Sequence, residues 1–210
     1  PTTPLPDGGV RIPHGHYRDR FALMPRSEPR AGRILYAGMI RPYKGVEGLL
    51  SSFEALDDPS LTLRIVGRPT ADLREAIEGA VARRSDRVSA RLDFVPDDDF
   101  VAEISAAELV CLPYRELHNS GMVLVALSLG RPVLVPETES MRALAEEVGP
   151  GWVLTFRGGE LRPEDLVAAL AATRDGARQE APRLDDRDWQ QVGARYSAAF
   201  RSARERVRGR

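Results

Sequence analysis

Residues 33 to 180 predict an α/β domain: a Rossmann-like, doubly wound parallel sheet with helices on both faces, followed by a C-terminal helix. Six short apolar runs alternate with segments that have the three-to-four-residue hydrophobic spacing of a helix. The runs are nearly continuous in apolar residues, which is typical of parallel strands buried on both faces. Strands that alternate with helices favour parallel pairing through right-handed crossovers.

The predicted elements follow one another without a visible internal repeat. The strand segments are, in chain order, RILYAGM, LTLRIVG, VSARLDFV, Leu109 to Leu112, Pro132 to Pro136 and WVLTF. The helical segments between and after them are GVEGLLSSFEAL, ADLREAIEGAVARR, DDFVAEISAA, Met122 to Leu129, ETESMRALAEEV and PEDLVAALAATR. A last, long helix begins at DDRDW and places one apolar face at helical spacing, formed by Trp189, Val192, Tyr196 and Phe200.

Composition narrows the class of protein. The net charge is −1, so nothing in the overall balance attracts nucleic acid. The single cysteine, Cys111, excludes an internal disulfide and is expected to be a small buried side chain in a reducing compartment. No run approaches the roughly 20 apolar residues that span a bilayer. We therefore expect a cytoplasmic protein. The basic helix end, Arg201 to Arg210, is either a solvated tip or a contact with the inner face of the membrane.

The first loop of chemical interest, AGMIRPYKG, follows the first predicted strand. Ligands of open α/β sheets bind beyond the carboxyl ends of the strands, where this loop lies. Gly38 permits close backbone approach, and Arg41 and Lys44 place two cations beside it. The pair could hold a diphosphate, or it could be two solvated charges. The spacing matches neither the GxxxxGK[ST] of a P-loop nor the GxGxxG of a dinucleotide site.

The loops after the second and third strands, IVGRP and LDFVPDDD, would flank the base in a nucleotide site. Arg68 and the backbone around Val95 are the expected contacts. Asp97 to Asp99 have the oxygen ligands that divalent cations prefer, but a helix cap and first turn explain them fully. His14 and His16 lack a further ligand nearby, so we expect them to shape a loop. The sequence therefore predicts no metal.

The third loop, YRELHNSG, joins a buried strand to an apolar helix. Asn119 or Ser120 can cap that helix, and Gly121 lets its first N–H groups approach a phosphate closely. Glu116 is the only carboxylate of the loop and is the candidate catalytic residue. The alternative roles for Glu116 are to accept hydrogen bonds from sugar hydroxyls or to pair with a surface cation.

In this order, AGMIRPYKGVEGLL, LRIVGRP, DFVPDDD and LVCLPYREL…SLGRPVLVP resemble the C-terminal half of a GT-B glycosyltransferase of the family-4 kind. The resemblance covers about residues 33 to 200. It implies a domain that binds a nucleotide-diphosphate sugar as its donor substrate and needs no other cofactor. By position, Gly38, Arg41 and Lys44 would meet the diphosphate, and the helix start Asn119–Gly121 would meet phosphate or sugar.

The resemblance also divides the chain into three segments. Residues 1–32 would be a linker and the tail of a missing N-terminal domain, because PTTPLPDGG has a linker's composition and the chain starts without methionine. Residues 33–180 would bind the nucleotide sugar, and residues 181–210 would form a helix that packs back toward the missing domain. The implied partners are a nucleotide sugar and a glycan or lipid-linked acceptor held by that domain.

One position departs from the family pattern. Retaining members usually carry a glutamate, seven residues and a second glutamate, but here the second is Val125 and the first aligns with Leu117, beside Glu116. The Asn-Ser-Gly loop resembles the branch that builds bacterial exopolysaccharides. The leading hypothesis is the donor-binding half of a glycosyltransferase, inactive as a fragment. A catalytically silent binding or assembly module is the alternative, and a two-domain Rossmann enzyme such as a sugar-nucleotide epimerase is a third.

Overall fold

The computed structural model describes residues 9–115, 121–176, 178 and 180–208. Within these ranges, six strands and seven helices alternate. The strands are β1 (Arg33–Ala37), β2 (Thr62–Val66), β3 (Val88–Arg91), β4 (Leu109–Cys111), β5 (Val133–Pro136) and β6 (Val153–Phe156). The helices are α1 (Val46–Glu54), α2 (Ala71–Arg83), α3 (Asp97–Ser105), α4 (Gly121–Ser128), α5 (Glu139–Val148), α6 (Pro163–Arg174) and α7 (Trp189–Arg208).

The strands form one parallel sheet in the order β3-β2-β1-β4-β5-β6. This is the 3-2-1-4-5-6 order of doubly wound folds, and it confirms the predicted Rossmann-like sheet. The chain first winds from β1 outward to β3, and then crosses back to continue outward from β4. With right-handed crossovers, α1 and α2 therefore cover one face of the sheet, and α4 and α5 cover the other.

The core is centred on β1, whose neighbours are β2 on one side and β4 on the other. Ile34, Leu35 and Tyr36 have no exposed surface, as expected for a central strand covered on both faces. Helix α4 is also apolar almost all round and is buried from Val123 to Ser128. A helix of this kind must lie inside the protein, so α4 is fixed against the sheet next to the end of β4.

Two predicted elements end differently in the structure. Strand β3 stops at Arg91, whereas the apolar pattern predicted a strand as far as Val95. Its only neighbour among the described strands, β2, ends at Val66, and the last backbone bond of the pair runs from Gly67 N to the Arg91 carbonyl. The chain beyond Arg91 thus has no strand to pair with.

The last helix begins at Trp189, whereas the sequence predicted a start at the beginning of DDRDW, Asp185. Asp188 is extended and accepts a hydrogen bond from the Gln190 N–H at 2.7 Å, which ends the preceding 3-10 turn and starts α7. Of the predicted apolar face, Val192 is 1% exposed but Phe200 is 72% exposed. The helix therefore packs on the domain through its first turns only. Neither α7 nor any other helix in the described ranges is long and apolar enough to cross a membrane.

The segment before the sheet packs on the domain and on α7. Phe21 is buried in the core, and the Tyr17 N–H donates to Ser128 Oγ of α4 at 2.9 Å. Trp189 Nε1 donates to the His16 carbonyl at 2.7 Å, and the Trp189 ring lies directly against Gly15. The assignment of residues 1–32 to a preceding domain stays a prediction.

Gly67 is expected to be essential to the join between β2 and β1. It has a φ of +143°, and a Cβ there would lie 1.8 Å from the Gly38 carbonyl oxygen. We expect Gly67→Ala to lower the free energy of unfolding by at least about 2 kcal/mol, since both strain and a backbone clash oppose the methyl group. Urea denaturation measures the change.

Gly48→Ala is the matched control for this substitution. Gly48 lies inside α1, and a Cβ there meets nothing within 4 Å. Alanine has the higher helix propensity, so this variant should be as stable as the parent or more stable by up to about 1 kcal/mol. Equal stabilities for the two alanine variants would contradict the proposed clash at Gly67.

Candidate functional site

The strand order reverses between β1 and β4, and the crevice that binds ligands in such sheets lies at their carboxyl ends. β1 leads into Gly38, and β4 leads toward the start of α4 at Gly121. A Cβ on Gly38 would lie 3.3 Å from Cγ of Met122, in the first turn of α4. The structure therefore brings together the two glycines that the sequence placed at this site.

Backbone contacts fasten the loops around the crevice to one another. Gly38 N donates to the Val66 carbonyl at 3.0 Å, which ties the ends of β1 and β2 together. Arg115 N donates to the Tyr43 carbonyl at 2.8 Å, which ties the loop after β4 to the loop after β1. Gly45 lies so close to Pro113 that a Cβ would come 2.1 Å from the proline carbonyl oxygen. Backbone hydrogen bonds and close backbone contacts therefore hold the loops of the crevice wall together.

The side chains directly beneath the crevice are neutral. The Tyr36 hydroxyl donates to the Met39 carbonyl at 3.3 Å, and burial raises the pKa of this phenol. Cys111, the last residue of β4, has no exposed surface, and burial raises the pKa of its thiol. A protonated, enclosed thiol is not a nucleophile, which agrees with the sequence prediction.

The guanidinium of Arg41 bridges the loop after β1 and the loop after β2. Its Nη1 donates to the Ile40 carbonyl at 2.8 Å and to the Arg68 carbonyl at 3.1 Å. Both contacts use one nitrogen of a group that has five N–H donors. Arg41 therefore has donors in reserve for a ligand while its position is already set by the backbone.

Lys44 closes a 3-10 turn, Pro42–Lys44, next to Arg41. Its Nζ lies 4.7 Å from the centroid of the Tyr114 ring, a cation–π contact. Burial lowers the pKa of the Lys44 ammonium, and the positive charge of Arg41 lowers it further. Across the described ranges, no carboxylate forms an ion pair with either cation. An anion in the crevice would offset the repulsion between the two charges.

Helix α4 starts at Gly121, and its first turn lies against Gly38 at the same crevice. That its N–H groups meet a phosphate stays a prediction. The Tyr17 hydroxyl lies 3.4 Å from where a Cβ on Gly121 would be, so the preceding segment reaches the edge of the site. Glu116, Asn119 and Ser120 lie outside the described residues. The catalytic role of Glu116 and the capping roles of the other two therefore stay predictions.

Arg68 and Val95 follow β2 and β3 on the same side of the sheet. Arg68 meets the site through its carbonyl, and its side chain is exposed. Val95 is half-buried after the edge strand β3, two strands away from β1. A ligand that contacts both must extend from the crevice along the carboxyl edge of the sheet, as the base of a nucleotide would.

The aspartates Asp97 to Asp99 form the first turn of α3, as predicted. Asp97 pairs with Arg20 at 2.8 Å, and Asp99 pairs with Arg91 at 2.8 Å. His14 stacks on Tyr17, and His16 is buried in the loop before the sheet. In the part of the chain that the structure describes, no three potential ligands gather as a metal site would require.

Sequence reasoning missed two aromatic residues of the site, Tyr17 and Tyr114. Tyr17 follows His16, and Tyr114 lies in the segment LVCLPYREL, but an aromatic residue in a loop has no spacing that distinguishes a ligand contact from packing. The structure also explains Val125, which stands where the resemblance expects a glutamate. Val125 is 8% exposed and belongs to the hydrophobic core, so this position is filled by packing.

Lys44 is the only lysine in the chain, so its ionisation can be observed alone. After reductive methylation with 13C-formaldehyde, NMR should show Lys44 and the N-terminal amine. We expect the folded chain to titrate Lys44 below its ordinary pKa, because burial and Arg41 oppose the charge. The unfolded chain binds this proton more tightly than the folded chain does. The free energy of unfolding should therefore increase as the pH rises from the folded pKa of Lys44 to its unfolded pKa.

Two controls accompany this titration. Arg41→Gln removes the like charge and should raise the pKa of Lys44, while burial still holds it below the ordinary value. The same labelled chain in urea should titrate normally. An identical midpoint in the folded and unfolded chains would contradict the burial of Lys44 beside Arg41.

The chain is similar to known proteins in sequence and in fold. The family described as "Glycosyl transferases group 1" matches residues 31–174. The GDP-mannose:glycolipid 4-beta-D-mannosyltransferase of Xanthomonas campestris pv. campestris is 47% identical over 204 residues, covering 96% of this chain and 58% of the relative. The chain therefore spans less than two thirds of the length of the curated relatives it matches.

Solved structures share the fold at low identity. Sucrose-phosphate synthase from Thermosynechococcus elongatus has a TM-score of 0.56 at 20% identity, covering 94% of this chain and 51% of that protein. Anabaena Alr3699/HepE in complex with UDP has a TM-score of 0.56 at 16% identity, covering 86% of this chain and 50% of the other. In both, the matched region is about half of a larger protein.

Proposed function

The chain belongs to the group 1 glycosyl transferases, with the Rossmann-like C-terminal domain of a GT-B fold, and from that premise we propose that it binds the donor in sugar transfer to a glycolipid. The observation that carries this proposal is the pair Arg41 and Lys44 beside the start of α4. Two cations without a carboxylate partner among the described residues, together with the N–H groups of a helix start, suit a diphosphate.

The donor that we propose is GDP-mannose. The relative whose name specifies this donor is 47% identical across 96% of the chain, which includes all the loops of the crevice. By the same reasoning, the product would carry a β-linked mannose on a lipid-linked glycan. This product fits an enzyme of bacterial exopolysaccharide synthesis that works in the cytoplasm, at the inner face of the membrane.

In the proposed reaction the bond between the sugar carbon and the diphosphate oxygen breaks, and negative charge grows on the leaving diphosphate. Arg41 and Lys44 would stabilise that charge together with the first N–H groups of α4. These groups are oriented in advance, since Arg41 is hydrogen-bonded to two carbonyls and Lys44 lies over Tyr114. The proposed chemistry needs no metal ion. Glu116, or a residue of an N-terminal half, would take the acceptor's proton.

The acceptor would approach from beyond the carboxyl edge of the sheet. Three large apolar side chains are exposed on loops of that edge: Met39 at 59%, Tyr43 at 46% and Phe94 at 80%. Exposed apolar side chains near a charged crevice are typical of a surface that another domain or a substrate covers. They support the proposal that an N-terminal acceptor-binding domain faces the donor across this crevice.

Nucleotide binding tests the donor site. We expect GDP to raise the melting temperature of the chain more than UDP or ADP does, with a stabilisation of about 2.7 kcal/mol at 100 times the Kd. Lys44→Ala should weaken GDP binding about tenfold or more, because a charge-assisted contact to the diphosphate is lost. Isothermal titration calorimetry gives the affinities.

Arg201→Ala is the control, since Arg201 is an exposed cation of α7. It should bind GDP as the parent does. Binding of UDP in preference to GDP would contradict the proposed base, and unchanged GDP affinity in Lys44→Ala would contradict the proposed site.

A catalytically silent module is the second candidate, favoured by the buried Val125 in place of a glutamate. Transfer activity distinguishes the two functions. It is measured on a protein in which this chain is joined to an N-terminal acceptor domain. We expect such a protein to form a β-mannoside, detectable by its anomeric NMR signals, with kcat reduced about a hundredfold in Lys44→Ala. The chain alone should not turn over. A silent module would bind nucleotide without any product, or would be indifferent to Lys44→Ala.

A further inference from the structure

A second charged cleft lies between α3 and the β3 side of the sheet, with a volume of about 410 Å³. We refer to it as the α3 arginine cleft. Its wall includes the first residue of β1, Arg33, the middle of β2, Arg64, and the last residue of β3, Arg91. Arg30 precedes the sheet and completes the set. None of the proposed donor-binding residues lines this cleft, so it is separate from the donor crevice.

The carboxylates of the α3 arginine cleft do not balance its arginines. Four guanidinium groups face two carboxylates, Glu103 and Asp99. Glu103 is shared, because Arg33 Nη2 donates to Oε2 and Arg64 Nη2 donates to Oε1 at 2.6 Å. Asp99 accepts from Arg91 Nη1 at 2.8 Å. The cleft thus has an excess of two positive charges.

Burial makes part of this excess costly, around Arg33, Arg64 and Glu103. The side chain of Arg33 is 12% exposed and that of Glu103 is 15% exposed, so their surroundings are poorly solvated. Arg33 Nε is buried without a hydrogen-bond acceptor. Burial lowers the pKa of the Arg33 guanidinium, and Arg30 and Arg64 lower it further. A single Arg–Glu pair would fill this position without the additional cations, so packing alone does not account for the cluster.

We propose that the α3 arginine cleft binds a phosphate group. A guanidinium donates two parallel hydrogen bonds to phosphate oxygens, and the excess of two charges matches a phosphate dianion. The volume of the cleft exceeds that of one phosphate, so the phosphate can be part of a larger molecule. Its source is either a free phosphorylated compound or the head group of an anionic lipid.

The first arm of the test measures inorganic phosphate binding by calorimetry at low salt. Every protein in this arm also carries Lys44→Ala, which weakens any phosphate binding at the donor crevice equally in all of them. Arg30→Gln with Arg91→Gln should weaken phosphate binding about tenfold or more. Arg30 is exposed and Arg91 is half-buried, so both can be replaced without opening the core. Arg201→Gln with Arg204→Gln removes the same charge from exposed sites on α7 and should bind phosphate as the parent does.

The second arm measures co-sedimentation with vesicles of phosphatidylcholine, with and without phosphatidylglycerol. Binding in the first arm alone would identify a free phosphorylated compound, and binding to the phosphatidylglycerol vesicles that the Arg30/Arg91 variant loses would identify a lipid head group. Absence of binding in both arms would overturn the proposal. So would equal binding by the Arg30/Arg91 and Arg201/Arg204 variants, provided that thermal unfolding shows both to be folded.

Discussion

The candidate donor site depends on one topological constraint, the reversal of winding between β1 and β4. In a parallel sheet with right-handed crossovers, the loops after these two strands leave in opposite directions and cannot cover the gap between them. Among the described strands, β1 has β2 and β3 on one side and β4, β5 and β6 on the other, and it is buried completely from Ile34 to Ala37. The deepest part of the core therefore lies directly beneath the most open part of the carboxyl edge.

The loops around the crevice are closely packed, because backbones meet directly at Gly45 and Gly67 and the Met122 side chain lies against Gly38. Gly38, Gly45 and Gly67 each lie where a Cβ would touch a neighbouring loop or helix α4. Side chains in these positions would push the loops apart and release the Arg41 and Lys44 side chains from their fixed places. In the proposed reaction the glycines would therefore serve the electrostatics of the site, since stabilisation of a leaving group is strongest from charges that do not have to move.

The two cations of the candidate site disfavour each other in the free protein, and a bound anion would relieve this repulsion. Lys44 is partly buried beside Arg41, which disfavours its ammonium form, and only the Tyr114 ring faces it as a favourable contact among those described. Several other arginines pair closely with carboxylates, as Arg187 does with Glu147 and Arg174 with Glu108. Against this background, the donor crevice and the α3 arginine cleft share one property, an excess of cations where solvent is partly excluded. An anion that binds at such a place relieves the repulsion between its cations, and this relief favours binding.

The sequence by itself determined the local structure. Continuous apolar runs and helical spacing predicted all six strands and the helices, because these patterns depend on neighbours within a few residues. The same reasoning placed Gly38, Arg41 and Lys44 after one strand and Gly121 at the start of a helix. It overestimated β3 as far as Val95, because a strand's length also depends on the length of its partner, and β2 ends first.

Only the tertiary structure decided which loops meet. The pairing of β1 with β4 joins segments far apart in the chain, and no pattern within either strand specifies its neighbour. For the same reason the contact of Lys44 with Tyr114, the approach of Tyr17 to Gly121 and the gathering of arginines around Glu103 could not be read from the chain. Their partners come from separate elements, and these elements are brought together only when the apolar faces that the sequence does specify are buried against one sheet.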